Sequence, residues 1–391
     1  MFNHSMISII KKECERIKKD IILWRRDFHQ YPEIGNQEYQ TSKKIQLLLK
    51  KFRIPFEIKG KTGVVGFLKG NKGKTIGIRA DMDALPIKEE TGLPFSSKNE
   101  GFMHACGHDA HISTLLGIAK ILSKHKKKIN GNIKFIFQPC EEGPPGGAYQ
   151  MIKEGVLDNV DFLLGFHFTP LLPLNKIWIG KGAIMATTDA FEIIIEGKGG
   201  HGSSPHLVND PIVCASYLIT QIQIIISRRV DPLKTGVISI GRINGGNVFN
   251  IIPDRVEIKG TVRTFEEEVR EKIKEEMGKI IEGLSLTFNC KIKFIYSNYS
   301  PSCINDFEFS EKVKNISKKI LPSGSLVEFH PILGGEDFAF FSQKKPSCYI
   351  FVGIGENCGV LHSSKFILNE EVLSPTVSYL SSLLYFLLTE R

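Results

Sequence analysis

The chain lacks any run of about 18 consecutive apolar residues, so no membrane span is expected. It also lacks patterned cysteine. Its eight thiols, Cys14, Cys106, Cys140, Cys214, Cys290, Cys303, Cys348 and Cys358, share no repeated spacing. In a reducing compartment most should be buried free thiols, with Cys106 set apart by its neighbours. No internal repeat or low-complexity tract appears, and neither glycine-rich stretch matches a P-loop or a dinucleotide fingerprint. A signal peptide is not expected either. Lys11, Lys12, Glu13, Glu15, Arg16, Lys18, Lys19 and Asp20 break up residues 1–27, which read as an amphipathic surface helix. Since nothing directs the chain elsewhere, a cytoplasmic protein is expected. Acidic residues are in the minority, 42 against 51 Lys and Arg, giving a net charge of +9. The lysines are nonetheless spread along the chain. The densest run, Lys124 to Lys128, closes an expected helix, where cations complement the helix dipole. Neither a nucleic-acid nor a membrane partner is expected.

The 391 residues, 42% hydrophobic and 24% charged, suit a globular protein of two domains. Residues 1–186 alternate helix and strand patterns: helix 42–51, strands 64–68 and 75–80, helix 110–123, strand 133–138, helix 148–154 and strand 161–166. Such alternation predicts an α/β domain with a mainly parallel sheet. The pattern then becomes strand 190–196, helix 210–228, strands 236–243 and 255–264, helix 266–282 and strand 287–296. That βαββαβ order is that of a ferredoxin-like unit, placed at 187–299 as an insertion. Helix 306–320, strand 348–353 and an apolar-faced helix 372–387 return to the first domain, which therefore comprises 1–186 and 300–391.

His104-Ala105-Cys106-Gly107-His108-Asp109-Ala110-His111 packs four possible metal ligands and a carboxylate into eight residues. A thiolate and imidazoles at this density suit zinc, manganese, cobalt or nickel. Asp81 and Asp83 follow the strand ending at Ala80, Glu141 and Glu142 the strand ending at Gln138, and His167 the strand ending at Phe166. Ligands of open α/β sheets gather outside the carboxyl ends of the strands, so three strand ends converge on one rim. Of two adjacent glutamates, one can bind metal while the other takes a proton from water. Asp81 and Asp83 read either as turn residues before Pro86 or as carboxylates that orient a metal-bound imidazole. His362 follows another apolar stretch. In the inserted domain His201 sits in Lys198-Gly199-Gly200-His201-Gly202-Ser203-Ser204-Pro205-His206, a flexible turn or a loop presenting an imidazole. Asn250 lies between apolar neighbours in a long Gly-rich connection.

These motifs together resemble the amidohydrolase branch of the dinuclear metallocarboxypeptidase and aminoacylase superfamily. That branch includes hippurate hydrolase, N-acyl-amino-acid amidohydrolases, auxin-conjugate hydrolases and N-acetyldiaminopimelate deacetylase. The resemblance runs nearly end to end, from Asp27-Phe28-His29-Gln30-Tyr31-Pro32-Glu33 and Arg79-Ala80-Asp81-Met82-Asp83-Ala84-Leu85-Pro86 to Gly335-Glu336-Asp337-Phe338-Ala339 and His362. It implies that Cys106, His108, Glu142, His167 and His362 ligate two divalent metal ions per subunit. It implies that Glu141 is the general base and that His201, often supplied by a partner subunit in this superfamily, stabilises the oxyanion. It makes Asn250 and Arg263 candidates for holding a substrate carboxylate, and the inserted domain both a lid and the surface of a homodimer. Cys140, Pro144-Pro145, Gly202-Ser203-Ser204 and Phe168-Thr169 depart from the usual pattern along the substrate rim. The resulting expectation is a metal-dependent amidohydrolase that cleaves a small N-acyl-L-amino acid. Its rivals are N-acetyldiaminopimelate deacetylation, small-peptide carboxypeptidase or dipeptidase activity, and, more remotely, a non-catalytic metal-binding protein.

Overall fold

Apolar residues at helical spacing open the chain. Met6, Ile10, Cys14, Ile17 and Ile21 recur every three or four positions along the helix His4–Gln30 and are buried, while the charged positions between them face outward. The computed structural model describes residues 4–144 and 146–389; residues 1–3 of the expected first helix and Pro145 of the glutamate loop lie outside them.

Two units emerge. The first comprises Met1–Gly182, Ile304–His330 and Asp337–Arg391. Its seven-stranded sheet runs, edge to edge, Phe56–Lys59, Gly63–Lys69, Asn130–Gln138, Asn71–Asp81, Phe162–Thr169, Ser347–Gly353 and Ile177–Trp178. The four central strands are mutually parallel and the pairings at both margins are antiparallel. The helices His4–Gln30, His108–Lys124 and Leu373–Thr389 pack on one another over the core. The last was expected to bury one face but is buried on nearly every side. It and Pro211–Arg228 are long and apolar enough to cross a membrane by composition; the first is 83% buried as a core helix and the second only 33%.

The second unit comprises Ala183–Cys303 and Pro331–Glu336. Its antiparallel sheet has the order Gly236–Gly245, Arg255–Thr264, Thr188–Glu196, Lys291–Ser300, the ferredoxin-like arrangement, with helices Pro211–Arg228 and Glu267–Phe288 forming a separate apolar core with it. Residues 331–336, which sequence spacing assigns to the first domain, join this unit because Met185 bridges Ile332 and the Ala186 amide donates to the Gly334 carbonyl. The expected strand at 287 begins instead at Lys291. Thr287 and Phe288 suit a strand, but Ile273, Met277, Ile281 and Leu284 carry the buried helical stripe through, and Asn289 closes the helix in the left-handed region. The strand expected to stop at 166 runs to Thr169, so His167 lies within it.

A buried charge cluster ties the first helix to the helix beginning at His108. Arg25, 1% exposed, places Nε 2.8 Å from Asp109 and Nη1 3.3 Å from Glu370. His29 contacts Asp109 at 2.8 Å through Nδ1 and Glu89 at 3.1 Å through Nε2. Burial opposes charging His29, but the carboxylates prevail and raise its pKa. Arg25→Met strips the guanidinium from a buried carboxylate and should cost about 3–5 kcal/mol in urea denaturation. A loss near 0.5 kcal/mol, typical of an exposed pair, would contradict this reading.

Candidate metal centre

The donors converge because several backbone features end at one place. The strands Asn71–Asp81 and Asn130–Gln138 deliver Asp81 and, through the following turns, Asp83, Glu141 and Glu142. His167 projects from near the end of the adjoining strand. Gly107, at φ +83°, allows the turn that places Cys106 before the helix and His108 at its first residue. His362 stands at φ +63°, and its amide donates to the Ala105 carbonyl at 2.9 Å, which holds this ligand loop against the Cys106 turn. Cys140, just before the glutamates, is also at positive φ, +49°. Left-handed non-glycine residues of this kind cost energy that surrounding contacts must offset.

Cys106, His108 and His167 bring one ligand atom each within 4.8 Å of one another, as do Cys106, Glu142 and His362, and His108, Glu141 and Glu142. Cys106 Sγ lies 3.4 Å from His167 Nε2, and His362 Nε2 lies 3.2 Å from Glu142. Backbone partners fix the tautomers. His108 Nδ1 is 2.8 Å from the Asp83 carbonyl and His167 Nδ1 is 2.6 Å from the Phe168 carbonyl, so each Nδ1–H donates outward and each Nε2 faces inward, the atom that would meet a metal. His108 Nε2 is buried and makes no hydrogen bond, and the buried Glu142 Oε1 has His362 Nε2 as its near neighbour.

The site is electron-rich. Burial and then the carboxylates of Glu142, Glu141 and Asp81 push the Cys106 thiol well above its usual pKa. Burial works against charging His108, but Asp81, Asp83 and Glu142 outweigh it and hold the imidazole up to about 10. Burial keeps His167 neutral. A soft thiol, three imidazoles and a carboxylate, with the buried His108 Nε2 making no hydrogen bond, fit divalent transition metals, which Cys106, His108, Glu142, His167 and His362 would hold.

Two histidines of the dense motif are used differently, although His111 also brings a ring nitrogen within 4.8 Å of His108 and Asp81. His111 spends both nitrogens on protein, Nδ1 on Asp81 and Nε2 accepting the Phe168 amide at 3.1 Å. His104 is buried with neither nitrogen bonded, and burial lowers its pKa to about 4. Asp81 thus pairs with His111, while Asp83 accepts from His108 through its carbonyl and from the Glu142 amide through its side chain, at 3.0 Å. Sequence reasoning passed over Arg79, Gln138 and Asp337, which form a buried network behind the glutamates.

The second unit holds His201, Asn250 and Arg263. His201 pairs with Ile251 across a short ribbon, and the Gly202 amide donates to the Asn250 carbonyl at 2.9 Å, so His201 and Asn250 share one loop structure. His201 is exposed, and its Nδ1 accepts the Ser203 amide at 3.1 Å, which leaves the proton on Nε2. Arg263 is half-buried beside Thr188 and Gly335, has no ion pair among the described residues, and has its pKa lowered by burial.

Known proteins resemble this chain in sequence and fold. The model of peptidase family M20/M25/M40 matches residues 77–385. Thermostable carboxypeptidase 1 of Saccharolobus solfataricus is 43% identical over 378 residues, covering 94% of this chain and 95% of its own. Hippurate hydrolase of Campylobacter jejuni is 41% identical over 364 residues, 92% of this chain and 94% of its own. The crystal structure of the Bacillus subtilis YXEP protein, a dinuclear metal binding peptidase, superimposes with a TM-score of 0.84 at 36% identity, over 96% of this chain and 99% of that one.

Because the metal-free site keeps protons on Cys106 and His108, metal uptake near pH 7 should release protons, and affinity should fall as the pH drops. Titrating manganese or zinc into metal-free protein in dye-reported, weakly buffered solution measures both. Uptake without proton release would contradict the ligand assignment.

Proposed function

Since the chain belongs to peptidase family M20/M25/M40, we propose that it is a metal-dependent amidohydrolase that cleaves an N-acyl-L-amino acid into a carboxylate and the free amino acid. The observation that carries this reading is the pair of adjacent glutamates gathered at His108. Glu142 turns toward His362 and His108, and Glu141 stands beside it as a second carboxylate available for proton transfer. Two divalent ions, of manganese, zinc, cobalt or nickel, held by Cys106, His108, Glu142, His167 and His362 would polarise the substrate carbonyl and make water an adequate nucleophile near neutral pH. Glu141 takes the proton of the attacking water and delivers it to the departing nitrogen, without which an amide does not leave. Asp83 and the Phe168 carbonyl hold the His108 and His167 rings in the ligating orientation. His201, with its proton on Nε2, stabilises the oxyanion. Arg263 and Asn250 hold the substrate carboxylate; the unpaired guanidinium of Arg263 supports this role.

The same anchor suits the C-terminal carboxylate of a small peptide, and the thermostable carboxypeptidase relative favours that as a second reading. We also propose a homodimer formed through the second unit. In support, its strand Gly236–Gly245 is a sheet edge, and the neighbouring helix leaves Ile212, Val213, Tyr217 and Ile224 exposed. A cytoplasmic location is supported by eight cysteines that all remain unpaired.

Benzoyl-glycine, N-acetyl amino acids, N-acetyldiaminopimelate and dipeptides, each assayed with added metal, should yield one metal-dependent amino-acid release. Activity confined to dipeptides would select the second reading. Glu141→Gln should retain metal and lose nearly all turnover; preserved turnover would remove Glu141 as the base. His201→Ala should slow turnover on the order of 100- to 1000-fold. Mixed dimers of these two variants should regain activity if His201 serves the partner's site, whereas silent heterodimers would confine it to its own.

A further inference from the structure

The geometry points to Asp337 as the positioning residue for Glu141, acting as a latch behind the glutamate loop; this rests on Glu141 being the base. Asp337 is 5% exposed and 196 positions away from Glu141 in sequence. Its backbone amide donates to Glu141 Oε1 at 3.4 Å. Its carboxylate is held from three sides, by Arg79 Nη2 at 3.0 Å, by Gln138 Nε2 at 2.7 Å, and by the Ala148 amide at 3.1 Å. Gln138 ends the strand before the loop and Ala148 lies in the first turn of the helix after it, so one carboxylate grips both feet of the segment carrying Glu141 and Glu142. Gly146 makes room for the grip. It stands at φ +85°, and a Cβ there would lie 2.7 Å from Asp337 Oδ2.

The latch reaches the ligand side too. Arg79, with no exposed surface, also donates to Asp81 at 2.7 Å, and Asp81 holds His111, which accepts the amide following His167. A continuous buried chain therefore runs from the strand of His167 to the base. The guanidinium shared by Asp81 and Asp337 lessens the repulsion that Asp337 would otherwise exert on the glutamates in front of it. A catalytic carboxylate on a loop gains from such a fixed point, since displacement by about 1 Å can cost on the order of 100-fold in rate.

Asp337→Asn, which leaves at least one donor facing a donor, and Gly146→Ala, which crowds the carboxylate, test the latch. Metal content, kcat, KM and amide hydrogen exchange of residues 139–148 are measured for each beside the wild type. Both variants should keep their metal and KM, lose on the order of 10- to 100-fold in kcat, and exchange faster in that segment only. Unchanged kcat and exchange in either metal-loaded variant would overturn the proposal, as would a kcat loss matched by metal loss. Gly146→Ala keeps the question open to refutation should Asp337→Asn not fold. Hydrogen exchange is read without substrate, so a loosened loop in a protein inactive on every substrate would retain the latch and reject the amidohydrolase reading.

Discussion

Everything at this site follows from gathering donor groups out of water that the protein itself satisfies poorly. His108 Nε2 makes no hydrogen bond and Glu142 Oε1 has only the 3.2 Å contact with His362, beside a buried thiol and the inward Nε2 of His167. Leaving such groups unpaired in a low dielectric costs more than any one of them returns by packing. A divalent cation reverses the balance, because it meets several lone pairs at once and makes the thiolate the favoured form. The cost of assembling the donors in the fold becomes affinity for the ion.

The remainder of the first unit keeps those donors from collapsing onto one another. Parallel strands end in register, so side chains at neighbouring strand ends share one rim, and His167 is held by its strand's pairing with Ser347–Gly353. Arg79 and Arg25 then place one guanidinium on each side of the motif, the first between Asp81 and Asp337 and the second against Asp109. These guanidinium groups bind Asp81, Asp337 and Asp109 and not the donors proposed to hold metal, so positive charge is supplied to an acidic site without occupying those donors.

The sequence disclosed what is local. The strands of the first unit, though not the end of the one that carries His167, the density of ligands around Cys106, and the adjacent glutamates could be read from spacing, and the βαββαβ order of the second unit from the change of period. Long-range pairing was not readable. Asp337 meets Arg79 across 258 positions and Gln138 across 199, and no local pattern marks an aspartate that serves a distant amide. The same reason hid residues 331–336, whose place is set by pairing with 184–186. His104 and His111 looked equivalent to His108 because spacing counts ligands without orienting them. Only the Asp81 and Phe168 contacts remove His111 from the inward-facing set. The helix end at Phe288 was misplaced because β-branched and aromatic propensity is weaker than a continuing buried stripe.

Two separate apolar cores give the chain a division of labour. The first unit contains every proposed ligand and the proposed base, beside the buried guanidinium groups of Arg25 and Arg79. The second contains His201, Asn250 and Arg263, whose side chains are exposed or half-buried, and its fold is held by an independent ion pair, Asp189 with Arg270, that Tyr296 reinforces at 2.8 Å. Changing an exposed loop residue of the second core leaves the electrostatic balance of the first untouched. Substitutions that alter recognition therefore cost little stability, whereas substitutions near the donors are coupled through Arg79 and Arg25 to the whole fold. Such a chain can change the amide it accepts far more readily than the way it breaks it, in keeping with hippurate hydrolase and carboxypeptidase relatives at nearly equal identity.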